Sequence, residues 1–406
     1  MKIYTILFFS ILISSSSCRS NSDTNPQTKL NTAVATLHTD LEKAISTDVP
    51  SLSVYVISPK GTYFSSVTGK NGTPVTKDTY FRFASNTKNF TATAILSMMQ
   101  DGWLNLDDKI TGNIPGTNIP YVPNTAEWNF PNKDLITIKQ LLQHNAGIYD
   151  LTNDTSKYSI DNKSYDEYML ENFPNMQFTT EQYVKILTEK KLSYGLPNTV
   201  YHYSNTGYSI LGEIIARIYS AKTNTNKTYG NYMNDKIIGS SARIPLNIKF
   251  VEEASDQQLP SPYITGYIHY DDRNERTDKK NATAHIAEGN GIGTMTELAK
   301  YIRTTMKAEN VLTTQSVQLM KNSIGKATTP QDNNYALGCF HIPGIGYGHN
   351  GATEGYLSLM LHDPDTDITT IVLLPFWDLS QKAKNFNSLL LTLNKTAFEA
   401  KKALGY

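Results

Sequence analysis

Apolar positions recur at three- and four-residue steps in a few stretches of the chain, and those stretches predict its helices. Leu30, Val34, Leu37, Leu41 and Ile45 fall on one face of a helix over residues 28–47. Residues 87–101, rich in Ala, Thr, Leu and Met, read as a second helix ending near Gly102. Residues 136–143 read as helical, and Ile210, Leu211, Ile214, Ile215 and Ile218 mark a helix over Thr206–Ser220. Thr294–Met306 follows the flexible run Gly289–Gly293, and a last helix covers residues 381–402.

Strand character sits at the two ends. Leu52–Ile57 reads as a strand, Pro59-Lys60-Gly61 as a tight turn, and Thr62–Val67 as the returning arm of a hairpin. Tyr335–His341, Leu357–His362 and Ile368–Pro375 are strand-like again. Between these ends, 150–180 is polar and weakly periodic, and 221–285 is rich in Asn, Asp, Tyr and Lys, with Asp271–Lys280 the most polar part. Strands at both ends with helices between predict one discontinuous α/β domain over 29–405. Its α/β part would be 29–84 and 290–405, around a helical insertion at 85–289.

The first residues have another character. Lys2 precedes an apolar run, Ile3–Ile13, of 11 residues, whereas a bilayer-spanning helix needs about 20. Residues 1–17 therefore read as a cleaved export signal, which places the protein in the periplasm or cell envelope. Ser14–Ser17 lead to Cys18, an arrangement that resembles a bacterial lipoprotein box. The departure is Ser15, where such boxes usually carry an aliphatic residue. Two readings stand: Cys18 is lipidated and anchors the protein to the membrane through a tether at 18–28, or the signal is cleaved among the serines. The only other cysteine is Cys339, which packs as a small apolar side chain among strand residues.

Composition removes whole classes of function. The 406 residues are 39% hydrophobic and 10% aromatic, which excludes wholesale disorder. With 37 basic and 37 acidic side chains there is no basic stripe of the kind a nucleic-acid partner requires. The 8 histidines show neither His-Glu-x-x-His spacing nor paired cysteines, so no metal or other cofactor is expected.

Three short motifs carry candidate chemistry. Ser85-Asn86-Thr87-Lys88 opens a helix, and a spacing of three places both side chains on one face. A serine is a weak nucleophile until a neighbouring base takes its proton, and a desolvated lysine can be that base. In Tyr203-Ser204-Asn205, a phenol beside an ammonium could hold a lowered pKa and relay protons, while Asn205 could orient the lysine and a substrate amide. His349-Asn350-Gly351-Ala352 is rich in flanking glycine. It could let a substrate backbone lie along a strand edge and free the Ala352 N–H for an oxyanion. Each pattern has a bland reading as an N-cap or a turn, and each of the first two has decoys: Ser323-Ile324-Gly325-Lys326, Tyr229-Gly230-Asn231 and Tyr232-Met233-Asn234.

Taken in order, the motifs resemble those of the serine β-lactamase and D-Ala-D-Ala carboxypeptidase superfamily. The branch is that of class C β-lactamases, penicillin-binding D,D-peptidases, D-aminopeptidases and related esterases. Leu104–Lys109, Ile136–Gly147, Tyr203–Glu213, Gly291–Leu298 and Gly346–Tyr356 look familial too, so the similarity covers residues 35–400. The resemblance implies an antiparallel sheet flanked by helices, with a helical region above it and the active site between.

It also implies roles. Ser85 would form an acyl-enzyme, Lys88 and Tyr203 would move protons, and the Ser85 and Ala352 N–H groups would hold the oxyanion. Asn205, His349, Gly351 and Ala352 would bind substrate, with His349 placing Tyr203 or a substrate carboxylate. His144 and His202 would be structural. Class C enzymes usually carry lysine where this chain has His349. The substrate expected first is thus a D-amino-acid peptide, as for a D,D-carboxypeptidase or D-amino-acid peptidase, with β-lactams and small esters as alternatives. A non-catalytic acceptor that traps a β-lactam or muropeptide on Ser85 is the reading from another class.

Overall fold

The computed structural model describes residues 25–327 and 334–406. The signal segment 1–17, Cys18 and the first part of the tether lie outside the described residues. Asn25 caps helix α1 (Pro26–Ile45) by accepting the Gln27 N–H at 2.9 Å. Strands β1 (Ser51–Ser58) and β2 (Gly61–Thr68) form the expected hairpin, which leads to β3 (Phe81–Arg82) and α2 (Thr87–Gln100). Then come α3 (Ile138–Leu142), α4 (Tyr165–Asn172), α5 (Thr180–Glu189), α6 (Asn205–Thr223) and α7 (Tyr229–Tyr232). Short strands β4 (Lys249–Phe250), β5 (Tyr267–His269), β6 (Asn274–Arg276) and β7 (Gly291–Gly293) precede α8 (Met295–Met306) and α9 (Thr314–Asn322). The chain closes with β8 (Phe340–Ile342), β9 (Gly346–Thr353), β10 (Tyr356–Asp363), β11 (Ile368–Leu374), β12 (Phe376–Asp378), the turn α10 (Ser380–Ala383) and α11 (Phe386–Ala403).

The main sheet is antiparallel, in the order β2-β1-β11-β10-β9-β8. Side chains alternate across it with the period of two that a strand imposes. Leu357, Leu359 and Leu361 of β10 point to one face, with Val54 and Val56 of β1 and Val372 and Leu374 of β11. Leu30, Val34, Leu37 and Leu41 of α1 and Leu389, Leu393 and Ala397 of α11 cover that face. Met360 and Ile371 point to the other face, into a larger core shared with α2, α6 and α8. The result is the expected antiparallel sheet flanked by helices on both sides.

The 85–289 stretch is not purely helical. It carries β4, β5 and β6, and two of these pair outside it: β4 with β7, and β5 in parallel with β12. Strands of two or three residues are too short to show an alternation, so the sequence pattern had nothing to display there. Tyr335–His341 is not a continuous strand either. Gly338 turns in the left-handed region (φ 59°) and its carbonyl accepts Asn89 Nδ2 at 2.9 Å, docking Leu337 and Cys339 onto α2. Among the described residues, no helix is long and apolar enough to cross a membrane.

Leu359 is fully buried between the sheet and the α1/α11 layer. Leu359→Ala is expected to lower unfolding free energy by about 2–5 kcal/mol. Denaturant titration checks this, as a lower midpoint at unchanged slope.

Candidate active site

Ser85 stands where β3 turns into α2. Strand β3 is pinned to β7 (Arg82↔Ile292), and Ala84 then adopts a left-handed φ of 50°, turning the chain sharply into the helix. Asn86 locks the turn from inside by donating to Phe83 O at 2.9 Å and to Ser358 Oγ on β10 at 2.8 Å. Ser85 itself is half-buried. One helical turn on, Lys88 is completely buried. Its ammonium donates to Ser85 Oγ at 3.1 Å, Asn205 Oδ1 at 2.6 Å, Glu288 O at 2.8 Å and Glu288 Oε2 at 3.1 Å.

Tyr203 and Asn205 arrive at the start of α6. Ser204 is its N-cap, accepting the Gly207 N–H, while its own N–H donates to His144 Nδ1 at 3.1 Å. The His144 ring lies against Tyr203 with centroids 4.1 Å apart, so this histidine positions the motif. Tyr203 shares a hydrogen bond with Ser85, and its ring centre is 4.9 Å from Lys88 Nζ. Residues 85, 88, 203 and 205 therefore converge on one point.

Strand β9 supplies the opposite wall. At Gly351 a Cβ would stand 2.1 Å from Phe83 O, so only glycine lets the strand lie this close to the Ser85 turn. The Glu354–Gly355 turn closes on a hydrogen-bonded pair, Thr353 and Tyr356, and bonded pairs alternate along an antiparallel ladder. Ala352 is thus at a non-bonded position whose N–H faces away from β10. Strand β8 pairs only as far as Gly348, so that edge of β9 is open at Ala352, which is exposed.

Two expectations need correction. His349 is buried: Nε2 lies 3.0 Å from the Tyr335 hydroxyl and Nδ1 2.5 Å from Asn350 O. Burial, with the charge of Lys88 beside it, pushes its pKa down to about 3. It is a neutral ring whose nitrogens are already engaged, not a cation for a substrate carboxylate. Its ring centre is 6.3 Å from that of Tyr203, and Tyr335 packs edge-on to both, so it helps to place Tyr203. The Tyr203 phenol is not acidified either. Burial holds its pKa well above 10, and the nearby charges of Glu288 and Asp150 add to this.

Glu288 is the residue that motif reading missed. It lies just before β7, 2% exposed, and pairs with both Lys88 and His285. Its sequence signal is slight: an acid three residues after a histidine, at the mouth of the glycine-rich run 289–293. Burial lowers the Lys88 pKa and the Glu288 charge opposes that. The decoys are structural. Ser323 ends α9 with its carbonyl accepting Gln143 Nε2, and Tyr229 bonds Thr91 in the core. Among the described residues, no cluster of three or more histidine, cysteine or acidic side chains is placed to hold a metal ion.

Comparison with known proteins now decides the family. A model of the Beta-lactamase family matches residues 34–384. The chain belongs to the Beta-lactamase family. Protein flp of Staphylococcus aureus strain COL is 24% identical over 347 residues, 82% of this chain and 60% of that protein. The chain thus spans about 60% of the length of such curated relatives. Solved structures with the family's fold superpose well. A D-amino acid amidase from Ochrobactrum anthropi SV3, complexed with L-phenylalanine amide, gives a TM-score of 0.68 at 21% identity, over 92% of this chain and 98% of that one. A D-stereospecific amidohydrolase from Streptomyces sp. gives 0.67 at 21%, over 84% and 94%. The octameric penicillin-binding protein homologue from Pyrococcus abyssi gives 0.64 at 22%, over 90% and 77%.

The buried histidines give this family member a defined acid response. Burial lowers the pKa of His349 to about 3, of His362 to about 4, and of His144 well below its ordinary value. Folded values below the unfolded 6.5 mean stability fully present above pH 6.5 and lost as pH falls through 4 to 3. His285 has the opposite sign: Asp166 and Glu288 outweigh burial and raise it to about 9, so its contribution fades as pH rises through 9. Asp150 and Asp166, which burial raises to about 6 and about 7, act oppositely over the acid range and offset part of the histidine loss. His362→Asn should therefore make the thermal midpoint fall less steeply between pH 6.5 and 4 than in the wild type, and an unchanged pH profile would contradict the histidine assignment.

Proposed function

We propose that the protein is a serine hydrolase that cleaves a small amide of a D-amino acid through an acyl-enzyme on Ser85. The single observation that carries this reading is the Ser85 Oγ–Lys88 Nζ contact of 3.1 Å, with Tyr203 bonded to the same serine. In the first step Lys88, as the free amine, takes the Ser85 proton while Oγ bonds to the substrate carbonyl carbon. The Ser85 and Ala352 N–H groups take the resulting oxyanion, and loss of one such donor would raise the barrier by about 3 kcal/mol. Tyr203, a neutral phenol, passes a proton to the leaving amine as the tetrahedral intermediate collapses, and is reprotonated from Lys88. Water then attacks the ester, and Ser85 recovers its proton. Asn205 commits Oδ1 to Lys88, which leaves its NH2 group for the substrate carbonyl.

The amide reading is favoured over a carboxypeptidase or class C β-lactamase by His349. A neutral imidazole with both nitrogens engaged supplies no cation for the carboxylate those substrates carry. Similarity to a D-amino acid amidase and a D-stereospecific amidohydrolase supports the same class.

A fluorophosphonate probe should label the wild type at Ser85, and Ser85→Ala should abolish labelling and turnover with the circular dichroism unchanged. D-amino-acid amides should lead a panel with D-Ala-D-Ala peptides, β-lactams and short esters when ranked by kcat/KM. A single stoichiometric burst without turnover would support the acyl acceptor instead. We also propose export with lipidation at Cys18. The mature protein should then begin at residue 18 and carry the mass of a diacylglyceryl group, as mass spectrometry of protein from its native envelope can measure.

A further inference from the structure

Behind Lys88 runs a line of charged groups that the acyl-transfer steps do not use. Glu288 Oε2 lies 3.1 Å from Lys88 Nζ, Glu288 Oε1 lies 2.6 Å from His285 Nδ1, and His285 Nε2 lies 3.7 Å from Asp166 Oδ2. Asp166 in turn accepts a short hydrogen bond from the Tyr183 hydroxyl. Side-chain exposure is 0% for Lys88, 3% for Glu288, 4% for Asp166 and 19% for His285, so only the imidazole touches solvent appreciably. The line draws on α2, the segment before β7, α4 and α5. It is held from below: Thr91 Oγ1 donates to Ala287 O at 2.6 Å, and Gly212 of α6 lets Ala287 approach where a Cβ would meet it at 2.7 Å.

One cation would satisfy a buried carboxylate whose only role was structural. Glu288 has two, on opposite sides, each on its own oxygen. The attraction that holds a proton on Lys88 is therefore divided with His285. We propose that Glu288 is the counter-ion that sets the protonation of the reacting lysine, with His285 as its competitor for that carboxylate. Glu288 is thus a positioning residue that acts on the chemistry only through Lys88. This inference rests on the acyl-transfer reading above. The other groups facing the pair are Ser85, Asn205, Tyr203 and Tyr208 around Lys88, with Asp150, His144 and His349 within electrostatic range. Asp166, Tyr183 and Asp150 are within range of Glu288. All of these stay unchanged in the variants below.

The two partners should move the lysine in opposite directions. Removing the carboxylate charge makes Lys88 lose its proton more readily, and removing the imidazolium makes it hold the proton more firmly. The readout is the rate of Ser85 labelling by a fluorophosphonate probe as a function of pH, which needs no knowledge of the natural substrate. The acid limb should move down by about 1 pH unit in Glu288→Gln and up by a similar amount in His285→Gln, and Glu288→Asp should recover the wild-type limb in part. Limbs that stay put, or move in the same direction, overturn the proposal. If Glu288→Gln does not fold by circular dichroism, His285→Gln decides alone: an upward shift supports the proposal and an unchanged limb overturns it. Labelling that survives Ser85→Ala, or a wild type that does not label, is a different failure. It removes the acyl-transfer reading and this inference with it.

Discussion

The arrangement depends on an ammonium group kept out of water. Lys88 has no exposed surface, and an unpaired charge in that position would cost several kcal/mol. The chain surrounds it with acceptors from three separate segments: Ser85 before α2, Asn205 at the start of α6 and Glu288 before β7. Each acceptor fixes the approach of its own segment. The same contacts that make the lysine tolerable therefore also assemble the site, and a mutation at any of them acts on stability and chemistry together. Burial pulls the lysine towards its neutral form and Glu288 pulls it back, so the balance is set by a few ångströms of geometry.

The sheet explains how the fourth segment reaches this point. Ser85 and Ala352 are 267 positions apart, yet β10 carries Ser358 on the face that looks towards α2, where it meets Asn86. Beside it, β9 is stripped of a side chain at Gly351 and settles onto Phe83. A strand alternation and a missing methyl group thus bring the open edge of β9 alongside the serine. The remainder of β9 is an ordinary ladder: β8 covers its first residues and stops at Gly348. The end of that pairing is what leaves backbone groups free at Ala352.

Much of this was legible in the amino-acid sequence, for reasons that differ by element. Helices α1 and α8 bury one face each, and α6 does so beyond Gly212, so the three- and four-residue steps of Leu30 to Ile45 or Ile210 to Ile218 show them plainly, whereas α2 is buried on every side and shows by its composition. The hairpin β1–β2 and strands β10 and β11 declare themselves by apolar residues bounded by turns. Helices α4 and α9 bury few residues and leave a weak pattern, and β4 to β7 are too short for any period. Ser85, Lys88, Tyr203 and Asn205 could be placed together because spacing and helix starts constrain them. The state of His349 could not, since its neutrality comes from burial and from the charge of Lys88, neither of which a local motif displays. Glu288 was hidden for a similar reason: its partner in sequence is His285, while its partner in chemistry is 200 residues away.

Backbone strain, which occurs at several places in the fold, also reaches the surroundings of Lys88. Ala84, His144 and Ala287 all have positive φ values, 50°, 57° and 66°, in a region that L-residues with a Cβ enter at a cost of order 1–3 kcal/mol. Ala84 directly precedes Ser85, and Ala287 directly precedes Glu288. His144 receives the N–H that fixes the turn between Tyr203 and Asn205. Two strained residues thus sit one step behind groups that surround Lys88, and the third holds the turn that carries Asn205. Such conformations persist only where the surroundings over-determine them, and here the surroundings are the lysine's own partners and the bonds of Asn86, Thr91 and Asn290. Burying the charge and straining the backbone are therefore two sides of one design: packing forces the turns, and the turns aim the acceptors that make the buried charge tolerable.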